Sequence, residues 1–430
     1  MHIVLLLVVI GVLLFLLFQK NNVSPNIESD REGAEQQYTP EANIAESYNA
    51  NLAWISKGKL FVRKASGDVV QIHSEYIQGM IDRIERNKQR NAWKKNTSFE
   101  SGIGNRWGKQ GEDVDKVSIH FSAAQFDQGK LIYFLKDFDF GGLFEYDLEQ
   151  QKERRLIHSQ KLLLENLNLN KETDIILCAQ ISEGGVSNIA KMQKDGTALM
   201  ELTEGDTLDT DPCWIPGNEN EIVFQSSGIA RTQDGYIAAY GPASLQMLNL
   251  NDNKLTAVLE DPAFDFMQPK VSPNGDLYYI RRPYKLNQYG GGAVLSDIVL
   301  FPFRLLRAIF HYLNFFSMMY TRKPLTSASG PKFEADLKQM IVKGMRFDAE
   351  KALRKEGMIS GVPSLVPKSW QLICRNPQGR EQVLATNVAS FDINSEGLVL
   401  YSNGFGVFVL GASAEYNVVL KDNLISEIFV

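Results

Sequence analysis

Residues 192–226 read MQKDGTALMELTEGDTLDTDPCWIPGNENEIVFQS, and the order of turns and apolar runs in this stretch decides the fold. A run ending at Gln193 meets the pair Asp195-Gly196, and a second run, ALMELT, returns from it. Pro212 and Gly217 then bracket CWI, and the apolar run IVFQS follows. Asp-Gly between two such runs signals a hairpin, because glycine accepts the positive φ that a tight turn demands. The stretch therefore predicts hairpin upon hairpin rather than helix.

The same unit recurs through the chain. A strand, a turn and a second strand read as LFVRKASGDVVQIHS at 60–74, LFEYDLEQQKERRLIHS at 143–159 and NIAKMQKDGTALMELT at 188–203. They return as LQMLNLNDNKLTAVL at 245–259, WQLICRNPQGREQVLAT at 370–386 and VFVLGASAEYNVVLKD at 407–422. Repeats at this spacing are the mark of a propeller or solenoid. Five copies have inner strands ahead of them, at 117–135, 175–180, 212–226, 266–280 and 388–402, whereas the first is preceded only by LAWIS at 52–56. The chain also carries one strand too many at its end, LISEIFV at 424–430. That strand is expected to close a ring by joining the first unit, which removes two exposed sheet edges.

The run 192–226 resembles the repeat of TolB-like propellers, in which a DG turn and Leu-Thr precede Asp-x-x-Pro-x-Trp-Ser-Pro-x-Gly and an apolar strand. QPKVSPNGDLYYI at 268–280 repeats its second half, and FDINSEGLVLY at 391–401 is a weaker copy. Ile215 stands where the family has Ser, and Asn218 and Glu219 follow Gly217 where Asp-Gly is usual. The resemblance implies an all-β, six-bladed β-propeller, often exported, that binds other proteins or peptides. Asp195, Gly196, Pro212, Trp214, Pro269 and Gly275 read as scaffold for turns and blade packing.

Residues 51–430 are assigned to the propeller, 20–50 to a flexible linker rich in Asn, Glu, Ser and Pro, and 1–19 to an N-terminal membrane anchor or signal sequence. Ile3 to Phe18 is apolar throughout, no cleavage signal follows it, and Lys20 comes next. An uncleaved transmembrane anchor is the first reading and a cleaved signal peptide the second. Taken literally, Lys20 favours a cytoplasmic body; the exported habit of the family favours the extracytoplasmic (periplasmic) side, which is the expectation adopted.

Two helical insertions interrupt the propeller. The first, at about 76–111, holds IQGMIDRIERNKQRNAWKKN, whose basic run reads as a solvated helix or as a surface for an acidic partner or lipid headgroups. The second, at about 285–367, contains LFPFRLLRAIFHYLNFFSMMY at 300–320. Its polar residues Arg304, Arg307, His311, Asn314 and Ser317 fall on one helical stripe, leaving Phe303, Leu306, Ile309, Phe310, Leu313 and Phe316 for contact with a membrane or partner. Arg322 and Lys323 would meet anionic headgroups. Packing against a second expected helix, Lys332 to Lys355, is the competing reading.

Chemistry leaves little trace. The five histidines are scattered without an HExxH pair, the three cysteines Cys178, Cys213 and Cys374 are too far apart for a zinc site, and there is no G-x-S-x-G elbow. Asp206, Asp209 and Asp211 lack a calcium-loop register and read as a solvated turn between the third and fourth units. No catalytic, cofactor-binding or metal residue is assigned, and a net charge of -6 argues against nucleic acid as a partner. The expected function is a non-enzymatic interaction scaffold at the cell envelope. The alternative is a propeller-fold hydrolase or lyase with a site at the central channel.

Overall fold

The structure, a computed structural model, describes residues 48–91, 119–137, 140–285, 339–343, 345–348, 358–410, 416–422 and 424–430. The apolar run Ile3 to Phe18 and its linker lie outside these residues. So do Phe303, Leu306, Ile309, Phe310, Leu313, Phe316, Arg322 and Lys323. Among the described residues no helix is long and apolar enough to cross a membrane.

Each repeat contributes four main strands in antiparallel order; the third and fourth repeats are joined into one larger sheet by a parallel pairing of Ser187 with Leu208, and the others form separate four-stranded sheets. The first contains β1 (Leu52–Ser56), β2 (Lys59–Arg63) and β3 (Val69–Gln71), after which the helix α1 (Glu75–Asn91) departs. The second is β4 (His120–Asp127), β5 (Lys130–Lys136), β6 (Phe140–Asp147) and β7 (Lys152–Gln160). The third is β8 (Leu163–Asn170), β9 (Ile175–Ile181), β10 (Ser187–Gln193) and the short β11 (Met200–Glu201). The fourth is β12 (Thr207–Ile215), β13 (Asn218–Arg231), β15 (Ser244–Asn249) and β16 (Lys254–Leu259), with β14 (Ile237–Tyr240) paired to the far end of β13. In the fifth, β17 (Phe264–Val271) and β18 (Leu277–Pro283) are separated by a small hairpin, β19 (Gln339–Val342) and β20 (Met345–Asp348), from β21 (Gln371–Arg375) and β22 (Glu381–Thr386). The sixth is β23 (Ser390–Ile393), β24 (Val399–Ser402), β25 (Gly406–Leu410) and β26 (Tyr416–Lys421). Finally β27 (Ile425–Phe429) pairs with β1 through Ala53↔Phe429, Trp54↔Ile428 and Ile55↔Glu427, completing the first sheet as expected.

The hydrophobic residues show how these sheets are arranged. Each core cluster draws on two consecutive sheets rather than on one centre. Val62 and Ile55 meet Tyr133 and Leu131; Phe134 and Ile132 meet Leu164 and Cys178; Leu177 and Ile189 meet Trp214 and Phe224. Leu245 meets Phe266 and Tyr279; Met267 and Ile280 meet Phe391 and Tyr401; and Leu400 and Val407 of the sixth sheet return to Leu52 and Trp54 of the first. The innermost strands follow the same cycle, β4 touching β8, β8 touching β12, and so on to β23, β27 and back to β4. Cores lying between sheets around a cycle are the packing of a β-propeller. Strands such as β5, whose central residues Leu131 to Leu135 are all buried, read as continuous apolar runs because a neighbouring blade covers each face.

Two expectations from the sequence are corrected. Lys332 to Lys355 is not a helix where it is described. Gln339–Val342 and Met345–Asp348 form an antiparallel hairpin, with Val342 opposite Met345 and Lys343 at φ 46°. The helical spacing of Met340 and Ile341 is overridden by the β-branched pair Ile341-Val342 and by a turn at Lys343. Of the three aspartates expected in a solvated turn, Asp206 does lie in an exposed bend, but Asp209 and Asp211 do not: Thr207–Ile215 is the innermost strand of the fourth blade, and Asp209 is buried, accepting a bond from Ser226 Oγ at 2.6 Å.

The insertions dock by named contacts. Ser74 caps α1 through its Oγ and the Ile77 N–H, and Glu153 on β7 accepts from Ser74 Oγ at 2.6 Å and from the Tyr76 N–H at 3.0 Å. Tyr133 also donates to Glu153. The end of the second interruption belongs to the propeller core, because Val362, Leu365 and Val366 are buried with Trp370 and Phe391.

Candidate functional site: the channel between the innermost strands

Apart from the single parallel pairing of Leu208 with Ser187, the innermost strands have no partner on one side, so a residue there needs no N–H for a strand on that side. That freedom explains Pro212 in β12 and Pro269 in β17, which would disrupt a central strand. At matching places these strands carry a bulge, with register breaks between Phe121 and Ala123, Glu165 and Leu167, Thr210 and Cys213, and Met267 and Lys270. Asn166, Asp211 and Gln268 adopt φ of 50°, 51° and 52° there. Bulges re-aim side chains. Here they turn one polar residue from each of several blades toward the others.

The result is a girdle of polar contacts between consecutive innermost strands. Ser122 Oγ donates to the Leu164 carbonyl at 2.9 Å. Asn166 Nδ2 donates to Asp211 Oδ1 at 2.8 Å, while its Oδ1 accepts from the Asp211 N–H at 3.1 Å. The Gln268 amide donates to the Phe391 carbonyl at 3.1 Å and to Glu427 Oε2 at 3.4 Å, and the Val430 N–H donates to Asp392 Oδ2 at 3.0 Å. Each of these bonds ties one blade to the next except that between Gln268 and Glu427, which reaches past the sixth blade to β27.

Charged groups fill the middle of this girdle. Lys270 Nζ lies 3.0 Å from Asp392 Oδ1. Lys343, at the turn of the β19–β20 hairpin, places its Nζ 2.8 Å from Glu427 Oε1 and 3.6 Å from Asp211 Oδ1. The hairpin approaches from the face where the innermost strands begin: Arg282 Nη1 donates to the Lys343 carbonyl at 2.9 Å, and Arg282 Nε pairs with Asp265 Oδ2 at 2.7 Å. Arg282 also lies over the Trp370 ring, 4.7 Å from its centroid. The void left beside these groups is about 30 Å³, lined by Ser122, Asn166, Asp211, Gln268, Lys270 and Glu427, which is room for about one water molecule. On the opposite face the channel opens into a pocket of about 390 Å³ whose wall includes Asn168, Trp214, Pro216, Asn394 and Val430.

Three carboxylates, Asp211, Asp392 and Glu427, thus share the space with two ammonium groups, Lys270 and Lys343. Burial works against the charge on Lys270, yet Asp392 beside it leaves its ammonium above the ordinary lysine range. Lys343 behaves likewise, with burial outweighed by Asp211 and Glu427. Burial raises the Glu427 carboxyl, which Lys343 opposes and Asp211 reinforces. Nearby, burial pushes the Cys213 thiol up, and it pushes the Cys178 thiol up to about 12, so neither is a ready nucleophile.

None of the channel residues was assigned a role from the sequence. In sequence Asp211 reads as part of an acidic turn and Lys343 as part of a helix. The available signal was a polar residue before an apolar or proline position in successive inner strands: FSA at 121–123, ENL at 165–167, DPC at 211–213 and QPK at 268–270.

No protein-family model matches the chain, and no curated protein does. Solved structures resemble it in shape. TolB from Acinetobacter baumannii is 9% identical, with a TM-score of 0.46 covering 88% of this chain and 66% of that one. A chain of a nidogen/laminin complex is 8% identical at a TM-score of 0.44, covering 88% of this chain and 97% of that one. The tricorn protease is 10% identical at 0.42, covering 85% of this chain and 33% of that one. Likenesses this distant bear on neither activity nor partner, and the fold assignment rests on the sheet topology and the cyclic order of the cores.

Proposed function

We propose that the chain is a six-bladed, TolB-like propeller that serves as a non-catalytic protein-interaction scaffold, held at a membrane by Ile3 to Phe18 with its body on the extracytoplasmic side. The observation that carries the scaffold reading is the β13–β14 ribbon of the fourth blade, which runs on past the β15 pairing and bears Tyr236, Ile237 and Tyr240 with 75%, 36% and 42% of their surfaces exposed. Exposed aromatic and branched side chains grouped on one projecting element are what a protein interface uses as anchors. The channel supports the same reading, since its carboxylates and ammonium groups are engaged with one another.

The test is a photo-crosslinker in place of Tyr236 in the full-length protein in its native membrane, with one in place of Leu255, which is also exposed but lies on an outer strand, as the control. A discrete protein adduct from position 236 and none from 255 is expected; no adduct from 236 would remove the scaffold reading. Carbonate extraction tests the anchor, because the full chain should stay with the membrane and a chain lacking residues 1–19 should be released. The proposed contact through Phe303, Leu306, Ile309, Phe310, Leu313, Phe316, Arg322 and Lys323 predicts that Phe310→Asp, Leu313→Asp and Phe316→Asp together weaken association in a protein already lacking the anchor.

A second reading, an enzyme working at the channel, is favoured by one observation: the raised carboxyl of Glu427 beside a cavity is the kind of group that serves as a general acid. Turnover of a glycoside or peptide substrate abolished by Glu427→Gln would favour that reading over the scaffold.

A further inference from the structure

The hairpin Gln339–Asp348 lies in the chain between two strands of one blade, yet its turn residue reaches the innermost strands of two others. Lys343 contacts Asp211 on β12 and Glu427 on β27, while its backbone is held by Arg282 on β18. A lysine needed only to neutralise a buried carboxylate could sit on an innermost strand, as Lys270 does beside Asp392. Lys343 instead arrives on a separate two-stranded element whose backbone pairing is internal. A void of only about 30 Å³ lies beside Asp211 and Glu427, the two carboxylates its head group meets.

One further acceptor points to the ligand chemistry of this site. Gln268 is 4% exposed, its amide nitrogen reaches both the Phe391 carbonyl and Glu427, and its Oε1 is buried without a hydrogen-bond partner among the described residues. An ammonium head has three donors. Asp211 and Gln268 Oε1 on the neighbouring strands β12 and β17, and Glu427 from β27, supply three acceptors, and Lys343 lies 2.8 Å from Glu427 and 3.6 Å from Asp211.

We propose that the channel is a binding site for a primary ammonium group, that Lys343 is its tethered internal occupant, and that an ammonium presented from outside competes with the hairpin for the same acceptors. The hairpin is then a plug, and withdrawing it joins the site to the space now closed at that face. A tethered lysine competes at a high effective concentration, so an untethered amine should act only in the millimolar range or above. This inference concerns what occupies the channel and holds whether the protein proves to be a scaffold or an enzyme.

Chemical rescue of the full-length protein in detergent provides the test. Lys343→Ala should lower the melting temperature, and N-acetyl-lysinamide or alaninamide, standing for a lysine side chain and a chain terminus respectively, should restore it saturably. Whichever of the two restores it identifies the form of ammonium the site accepts. Tetramethylammonium, which carries the charge without an N–H donor, should not restore it, and neither amine should act on Lys343→Ala combined with Glu427→Gln. If both amines fail, or if tetramethylammonium does as well, the site is not an ammonium site. Should Lys343→Ala not fold, amide exchange in the unaltered protein gives an independent answer: the same amines should speed exchange at 339–343 and 345–348 and leave β5 unchanged. Exchange of the hairpin indifferent to them would overturn the proposal.

Discussion

Trp54 Nε1 donates a 2.7 Å hydrogen bond to Asp422 Oδ2, joining the first strand of the first blade to the end of the last blade across 368 residues of chain. Both residues are buried, and the Trp54 ring stacks on Phe61 at 5.5 Å between centroids. A donor aimed at a buried carboxylate contributes more than an ordinary hydrogen bond. Trp54→Phe should therefore cost about 2–3 kcal/mol in denaturant unfolding, and Asp422→Asn, which keeps an acceptor oxygen, should cost less. A loss below about 0.5 kcal/mol for Trp54→Phe would show that the bond is not part of the closure.

Gly404 and Leu365 form a second test of how the sixth blade is seated. Gly404 has φ 95°, and a Cβ there would lie 2.5 Å from Leu365 Cβ. Gly404→Ala should destabilise by about 2–4 kcal/mol, combining strain and overlap. Combining it with Leu365→Ala should cost less than the sum of the two single changes, because both act on the same contact. Additive losses would show that the overlap is relieved elsewhere.

Docking of α1 should depend on pH. Tyr76 Oη lies 2.6 Å from His158 Nε2, and burial, aided by Arg155, holds the His158 imidazole below its ordinary range. A folded pKa that is depressed adds stability above the unfolded value near 6.5, and this is lost as pH falls below it toward the folded value. Amide exchange of Glu75–Asn91 should quicken between pH 7 and 5 relative to that of β5. His158→Phe should remove that difference; a helix equally protected at both values would show that the contact does not titrate.

The cores between blades should carry most of the stability. Phe134 is fully buried between the second and third blades, so Phe134→Ala should cost about 3–5 kcal/mol. Leu255 is 57% exposed on an outer strand, and Leu255→Ala should change stability by less than about 0.5 kcal/mol. Comparable losses at the two sites would contradict the packing described.

The outer hairpins were legible in the sequence because both their strands and the turn between them lie within about fifteen residues, where turn chemistry and alternation act locally. Closure was legible for a related reason: a first unit lacking a strand and a surplus strand at 424–430 imply one another. Leu163–Asn170 is poorly marked in the sequence although LLENLNLN alternates cleanly, because no Gly or Pro sets its junction with β7; the turn there falls on Lys161, at φ 60°. The channel was hidden for a different reason. Asp211, Gln268, Lys343 and Glu427 are ordinary polar residues in sequence, and only the cyclic arrangement of strands brings their charges together. Lys343 shows the limit most plainly, since its role depends on a two-stranded turn that helical spacing concealed.

The pairing of β27 with β1 sets a timetable for biogenesis. Residues 52–56 emerge from the ribosome long before 425–429, and at ordinary synthesis rates the interval is on the order of tens of seconds. Until then Leu52, Trp54 and Phe61 lack the sixth-blade residues that cover them, and β1 offers a bare edge to any passing strand. The earliest-made blade is thus the last to be finished, and its edge is covered only when the closing strand arrives.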